Sequence, residues 1–285
     1  MSRGGVVMHR SVVAGVQATT ADTAQSFGRH SHDAFGVGLV WRGAQRSASG
    51  RGVVEARAGD IITANPGEVH DGSPFDERGR SWRMLYLAPQ LVYDVAGEAG
   101  AAAPSSIESV RPVLHDAAFS ACFERAFAAI VGTPGQGSER GHPGEALARE
   151  TALYALIARF VRRYTTLAPS GRLASETRGG ADASIRRVKA RIDDDPCDSI
   201  TLADLAAEAG LSRFQFLRGF ARETGLPPHA YLIQRRIALA RRLIERGASL
   251  AEAAVGAGFA DQSHMTRAFA RTLGVTPAQY AGAVR

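Results

Sequence analysis

The last 85 residues carry one unit twice. Thr201-Leu-Ala-Asp204 returns as Ser249-Leu-Ala-Glu252, Phe220-Ala-Arg222-Glu-Thr-Gly225 as Phe269-Ala-Arg271-Thr-Leu-Gly274, and Pro228-His-Ala-Tyr231 as Pro277-Ala-Gln-Tyr280. The offset is 48 residues for the first pair and 49 for the others, so the second copy takes one extra residue in between. A hydroxyl, a Phe, a Gly, a Pro and a Tyr kept in step over two copies point to a duplicated helical unit, suited to gripping two equivalent places on one partner.

Each copy reads as helix, tight turn, helix. Thr201 and Ser249 are N-cap hydroxyls, and Asp204 and Glu252 stand three residues on, where a carboxylate returns the bond and complements the helix dipole. Leu202, Leu205, Ala206 and Ala209 follow at helical spacing. Gly210 and Gly258 end the first helices, because a left-handed C-terminal residue is least strained as Gly, and Ser212 and Asp261 cap the second ones. This is the helix-turn-helix layout, whose second helix enters the major groove of DNA.

The second helices are expected to divide into two faces. Phe216 and Phe220, with Leu211, belong to the core of copy one; Met265 and Phe269 belong to that of copy two. The outward, DNA-facing set is then Arg213, Phe214, Gln215, Leu217 and Arg218, and in the second copy Gln262, Ser263, His264, Thr266 and Arg267. Gln pairs with adenine and Arg with guanine, whereas Leu217 or Phe214 touches only a thymine methyl or a sugar. Arg218 and Arg267 occupy one position of the repeat, which favours base reading over a merely solvated face.

From about Ser184 to Arg285 the chain resembles the DNA-binding domain of AraC/XylS-type transcription regulators. The resemblance is carried by Gly258-Phe259-Ala-Asp261-Gln262-Ser263-His264-Met-Thr-Arg267-Ala-Phe269 and Gly274-Val-Thr-Pro277-Ala-Gln-Tyr280. It implies two helix-turn-helix units joined by a long helix and reading successive major grooves on one DNA face. That helix is expected over about His229 to Arg246, ended by Gly247, with Tyr231, Ile237, Ala240 and Ile244 on its buried side. Arg235, Arg236, Arg241 and Arg242 either approach phosphates or are simply solvated.

Charge agrees with this placement. Residues 181–285 hold 15 basic and 11 acidic residues, net +4, whereas residues 1–100 hold 10 of each. A basic surplus at one end suits a phosphate-binding surface. Cys122 and Cys197 match no metal or redox spacing and read as reduced thiols of a cytosolic protein. No run approaches the ~18–20 apolar residues of a membrane span.

The N-terminal part has another texture. Phe35 to Trp41, Gly52 to Ala56, Asp60 to Ala64 and Ser81 to Leu87 are short apolar runs parted by Gly, Pro, Asn and Asp, the pattern of a β-sandwich or barrel. Turns are expected at Ala58-Gly59-Asp60 and Asn65-Pro66-Gly67. Ala117 to Val131 and Glu145 to Tyr164 read as helices, the latter with a stripe of Leu147, Thr151, Tyr154, Ile157 or Ala158, and Val161. Residues 132–144 form a Gly/Pro-rich loop, and 168–183 are the expected interdomain linker.

From His30-Ser-His32-Asp33 through Gly59-Asp60 to Pro66-Gly67-Glu68-Val69-His70, this half resembles the cupin-like sensor domain that many AraC-type regulators carry. That resemblance implies a small open-ended barrel for a small-molecule effector, with helices that pair two subunits. His30 and His32 would share a strand face that His70 could join, and three imidazoles alone suffice for zinc. Catalytic cupins generally add a Glu a few residues after the His pair, but Val37 stands five after His32 and the next Glu is Glu55. Asn65 also replaces the Pro usual in the second cupin motif. Pocket-lining or turn-capping histidines are therefore the favoured reading. Trp82, Met84 and Tyr86 alternate onto one strand face, either as an aromatic pocket wall or as plain core, with Arg83 opposite.

The expected fold is α+β: a cupin-like β-barrel with flanking helices (residues 1–167), then an all-α domain of two helix-turn-helix units (184–285). The expected function is a DNA-binding transcription regulator, an activator, with effector contacts at His30, His32, His70, Trp82 and Tyr86. Expected partners are double-stranded DNA, a small-molecule effector, a second copy of the chain and, in an activator, RNA polymerase. No cofactor, metal or catalytic residue is expected, because neither a nucleophile–base pair nor a full ligand set is present.

Overall fold

Where Val, Ile, Thr and Leu alternate with small residues, the first half folds into strands; where Phe and Leu recur at helical spacing, it folds into helices. The computed structural model describes residues 5–284 apart from 12, 99–106, 132–142, 168–182 and 199, and leaves out the side chains of 143–147 and 214. The expected loop at 132–144 and linker at 168–183 thus lie almost wholly outside the described residues. The chain divides into two units, Met1–Ser26 with His32–Ala174, and Phe27–Ser31 with Ser175–Arg285.

The strands are β1 (Val6–His9), β2 (Val16–Thr23), β3 (Phe27–His30), β4 (Phe35–Arg42) and β5 (Ala44–Ser49). Then come β6 (Gly52–Arg57), β7 (Ile61–Ala64), β8 (His70–Pro74), β9 (Arg80–Leu87) and β10 (Val113–Leu114). The first unit's larger sheet runs β1-β2-β9-β4-β7-β10, with every pair antiparallel. A second sheet has β5 between β6 and β8. The two sheets remain separate, so the barrel expected from the sequence is an open one. Gly43 takes the chain from one sheet to the other. Its φ is +72°, and a Cβ there would lie 2.4 Å from the Gly79 carbonyl oxygen, so no other residue fits without backbone movement.

Strand β9 sorts its side chains by face. Leu85 and Leu87 are fully buried against helices α1 (Pro89–Glu98), α2 (Ala117–Val131) and α3 (Pro143–Tyr164). Phe119, Phe123 and Phe127 of α2 and Leu153, Leu156, Ile157 and Phe160 of α3 complete that core. The stripe expected on α3 is therefore split, and its Leu147 side chain lies outside the described residues. Ile157 and Val161 are buried, but Thr151 and Tyr154 are exposed, and Leu153, Leu156 and Phe160 form the packed side instead. A helix rich in Leu, Ala and Phe offers two apolar faces one residue apart, and the larger side chains take the core.

The second unit contains α4 (Ala183–Asp194), α5 (Leu202–Glu208), α6 (Arg213–Thr224), α7 (Pro228–Glu245), α8 (Leu250–Gly256), α9 (Gln262–Leu273) and α10 (Pro277–Val284). Capping boxes close the starts of α5, α6 and α8, at Thr201/Asp204, Ser212/Gln215 and Ser249/Glu252. Asp261 caps α9 through the His264 amide at 2.6 Å. Gly210 and Gly258 adopt φ of +67° and +75° after the first helices, as a left-handed stop requires. Leu205, Ala206, Ala209, Phe216 and Phe220 pack with Ile185, Val188 and Ile192 of α4.

The repeat extends beyond what the sequence displays. Phe220 meets Tyr231 edge-on at 5.5 Å, and Phe269 meets Tyr280 in the same way at 5.4 Å. Each Tyr hydroxyl then donates to a carboxylate on the helix that leads its own unit, Asp193 on α4 (2.6 Å) and Glu245 on α7. Helix α4 is thus to the first reader what α7 is to the second. The matched carboxylates Asp193 and Glu245 are 52 residues apart, so the 49-residue offset of the repeat does not align them.

Candidate nucleic-acid interface and effector cavity

Burying Phe216 and Phe220 turns the other side of α6 outward, and burying Met265 and Phe269 does the same for α9. Arg213, Gln215 and Arg218 are exposed on α6, with Leu217 half-buried; the Phe214 side chain lies outside the described residues. Gln262, Ser263 and Arg267 are exposed on α9. His264 and Thr266 are half-buried, His264 edge-on to Phe259 at 5.3 Å and Thr266 donating to the Gln262 carbonyl at 2.8 Å. Gln215 also has a structural duty, since its Oε1 accepts the Ser212 amide at 3.0 Å.

Two exposed cations were missed in the sequence. Arg222 and Arg271 lie one turn beyond Arg218 and Arg267, again 49 residues apart, so each second helix carries an exposed Arg pair at i and i+4. The Ala-Arg step of the repeat was the available signal. Helix α9 itself contains no acidic residue.

The linking-helix arginines behave differently. Arg235 pairs with Asp193 at 3.0 Å, Arg236 donates to the Pro196 carbonyl at 2.7 Å, and Arg241 donates to the Tyr280 hydroxyl at 3.2 Å. These three serve the fold of the unit; Arg242 is exposed. Burial pushes the Tyr280 phenol up to about 12, so it remains a proton donor to Glu245 at any physiological pH.

In the first unit an open-mouthed cavity lies between the two sheets. Val54, Ala56, Ile62, Ala64, Met84 and Val113 supply its apolar wall. Met84 reaches in because Gly38 stands opposite it on β4 and Gly36, opposite Tyr86, leaves room for its methyl end; a Cβ on Gly38 would fall 2.0 Å from the Met84 sulfur and one on Gly36 2.9 Å from its terminal carbon. Gln45, Ser47, Ser49, Thr63, Glu68 and His70 supply the polar part.

Of the residues expected at an effector site, His70 lines this cavity and the others stand elsewhere. His32 sits 5.4 Å from the His70 ring and 4.7 Å from the Tyr86 ring, centroid to centroid. Trp82 is covered by the guanidinium of Arg80 at 4.6 Å. His30, whose Nδ1 lies 2.7 Å from the Gly28 carbonyl, belongs to the second unit. Arg83 is engaged on the helix side, 2.5 Å from Glu124 of α2. The Gln45-Ser47-Ser49 alternation along β5 was the overlooked signal for the cavity wall.

Glu68 is held by Arg51 through two bonds of 2.8 and 2.6 Å. Its carboxyl lies below the usual range: burial works the other way, but the Arg51 hydrogen bonds and charge and the Asn65 amide prevail. Burial pushes the His70 imidazole down and so favours its neutral form, despite the Glu68 carbonyl bonded to Nδ1 at 3.0 Å.

Residues 14–157 match the model of the AraC-like ligand binding domain, and residues 205–283 match a helix-turn-helix domain. An uncharacterized HTH-type transcriptional regulator of Bacillus subtilis, YbfI, is 26% identical over 241 residues, 85% of this chain and 82% of that protein. The transcriptional activator NphR of a Rhodococcus species is 42% identical over 82 residues, 28% of this chain and 24% of NphR. Among solved structures, ToxT of Vibrio cholerae O395 superposes with a TM-score of 0.51 over 99% of this chain and 97% of its own, at 11% identity, a likeness of fold alone.

Proposed function

Because the chain belongs to the AraC family of transcription regulators, with an AraC-like ligand-binding domain ahead of a helix-turn-helix domain, we propose that α6 and α9 read two successive major grooves under the control of a small molecule. Residues 1–167 are the sensing and pairing part, 168–183 the linker and 184–285 the DNA reader. The observation that carries this reading is the exposed pair Arg218 and Arg267 at one position of two like-built helices. Each contacts a base edge or a phosphate in its own groove, and Arg222 and Arg271, a turn further on, take phosphates. The small molecule occupies the cavity between the two sheets and favours one arrangement of the readers over another.

Activation of transcription, with RNA polymerase as the further partner, is supported by likeness to the activator NphR. Two copies pair through the exposed side of α3, around Thr151, Tyr154 and Ala155. The protein acts in the cytoplasm on the nucleoid; among the described residues no helix is long and apolar enough to cross a membrane.

Replacing a base-bonding Arg removes about 1–3 kcal/mol of binding and relaxes preference at one position. Arg267→Ala is therefore expected to weaken operator binding about tenfold or more in a gel-shift titration and to flatten base preference in the distal half-site. Unchanged affinity together with unchanged preference would remove α9 from the interface.

A further inference from the structure

This inference rests on the reading of the first unit as a ligand sensor and concerns what that ligand is. The ionisable side chains that line the cavity, Glu68 and His70, are each held by a neighbour, and the charged groups behind them are hydrogen-bonded. Both carboxylate oxygens of Glu68 are bonded to Arg51, whose remaining amine donates to the Ser109 carbonyl at 2.7 Å. His70 is engaged through Nδ1, 3.0 Å from the Glu68 carbonyl. Behind β5, Asp71 accepts the Ala48 amide at 2.6 Å. The Arg80 guanidinium, 1% exposed, donates to Gln45 Oε1 and to the carbonyls of Gln25 and Gly72, each at 3.1 Å. Glu68 is the one carboxylate lining the cavity and its charge is matched by Arg51, so a ligand bringing its own charge would be desolvated with no unpaired countercharge on the lining to meet it.

The polar edge of the cavity has a direction. Arg80 holds Gln45 by its oxygen, which turns the Gln45 amide nitrogen toward the Ser47 hydroxyl at 3.3 Å. The Ser47 oxygen is then an acceptor for Gln45, and its own proton is committed to no acceptor among the described residues. Thr63 differs, since its hydroxyl donates to the Arg111 carbonyl at 2.6 Å. Opposite this edge the wall is apolar: Val54, Ile62, Met84 and Val113.

We propose that this cavity takes a compact, uncharged, largely apolar molecule carrying one hydrogen-bond acceptor, such as a carbonyl or hydroxyl oxygen, which receives the Ser47 proton. Buried-charge desolvation gives the selectivity against ions, and the Ser47 bond gives the orientation.

The test uses the full chain and three near-isosteric probes: benzamide, benzoate and benzylamine, followed by saturation-transfer NMR titration. Benzamide is expected to bind at least about tenfold more tightly than either ion. Ser47→Ala is expected to weaken benzamide about fivefold to tenfold while leaving the affinity for benzene, which carries no acceptor, unchanged, which separates a ligand contact from a fold contact. Benzoate or benzylamine binding as well as benzamide, full benzamide affinity in Ser47→Ala, or no saturation by benzamide below about 10 mM would each overturn the proposal. Operator affinity measured with each probe at saturation separates this from the sensing reading. Benzamide binding without an operator response keeps the ligand class and counts against its use as the signal. A response to benzoate alone keeps sensing and overturns the class.

Discussion

Gly258 and Gly210 end equivalent helices in equivalent left-handed conformations, yet they differ in what surrounds them. A Cβ at Gly210 would meet nothing within 4 Å, whereas one at Gly258 would lie 3.1 Å from both the Arg236 guanidinium and the Cys197 backbone. Gly210→Ala is therefore expected to cost only the left-handed strain, about 1 kcal/mol. Gly258→Ala is expected to cost clearly more, about 2–3 kcal/mol, because a backbone atom must also move. Urea denaturation of both variants checks the order, and equal losses would mean that the Cys197 side of the turn yields freely. The sequence identified both glycines as helix stops but could not separate them. The difference lies in Arg236 and Cys197, which come from other parts of the unit. The same limit explains the effector residues: Trp82, Met84 and Tyr86 alternate along one strand, but which of them reaches the cavity depends on Gly36 and Gly38 across the ladder, and those make room for Met84.

Capped helices were the elements most legible in sequence, because their signals are local. Thr201, Ser212, Ser249 and Asp261 all cap as their spacing implies. Thr201→Ala and Ser249→Ala are each expected to lower stability by about 1 kcal/mol in chemical denaturation. Helix α4, strands β5 and β8 and the packed side of α3 were not legible, since each is decided by partners distant in sequence. At the junction of α2 and α3, Asp116 is held down at about 2, first by the hydrogen bond from the Tyr164 hydroxyl and then by the Phe119 amide and Arg159. A carboxyl lowered in the folded state stabilises fully above its ordinary value near 4 and loses that contribution as pH falls toward about 2. Tyr164→Phe is therefore expected to flatten the loss of stability between pH 4 and pH 2 relative to the parent chain. Parallel stability–pH curves would assign the acid sensitivity to other carboxylates.

At the scale of the molecule, a ligand-binding domain precedes two helix-turn-helix units. Pairing through α3 predicts that Tyr154→Glu, placing a charge on an exposed aromatic, shifts the full chain from dimer to monomer in sedimentation equilibrium while leaving its fold intact. A dimer of unchanged affinity would move the interface elsewhere. The two-reader arrangement was legible from the repeat alone, because a duplicated unit keeps its own caps and core. The ligand was not, because the cavity's chemistry emerges only when Glu68 meets Arg51 and Gln45 meets Arg80. Footprinting of the full chain on its strongest genomic site decides whether α6 and α9 engage DNA together. Two protected major grooves about one turn apart, ~10 bp between centres, with both lost in an Arg218→Ala/Arg267→Ala double variant, are the predicted result. Protection of a single groove, or protection independent of sequence, would contradict it.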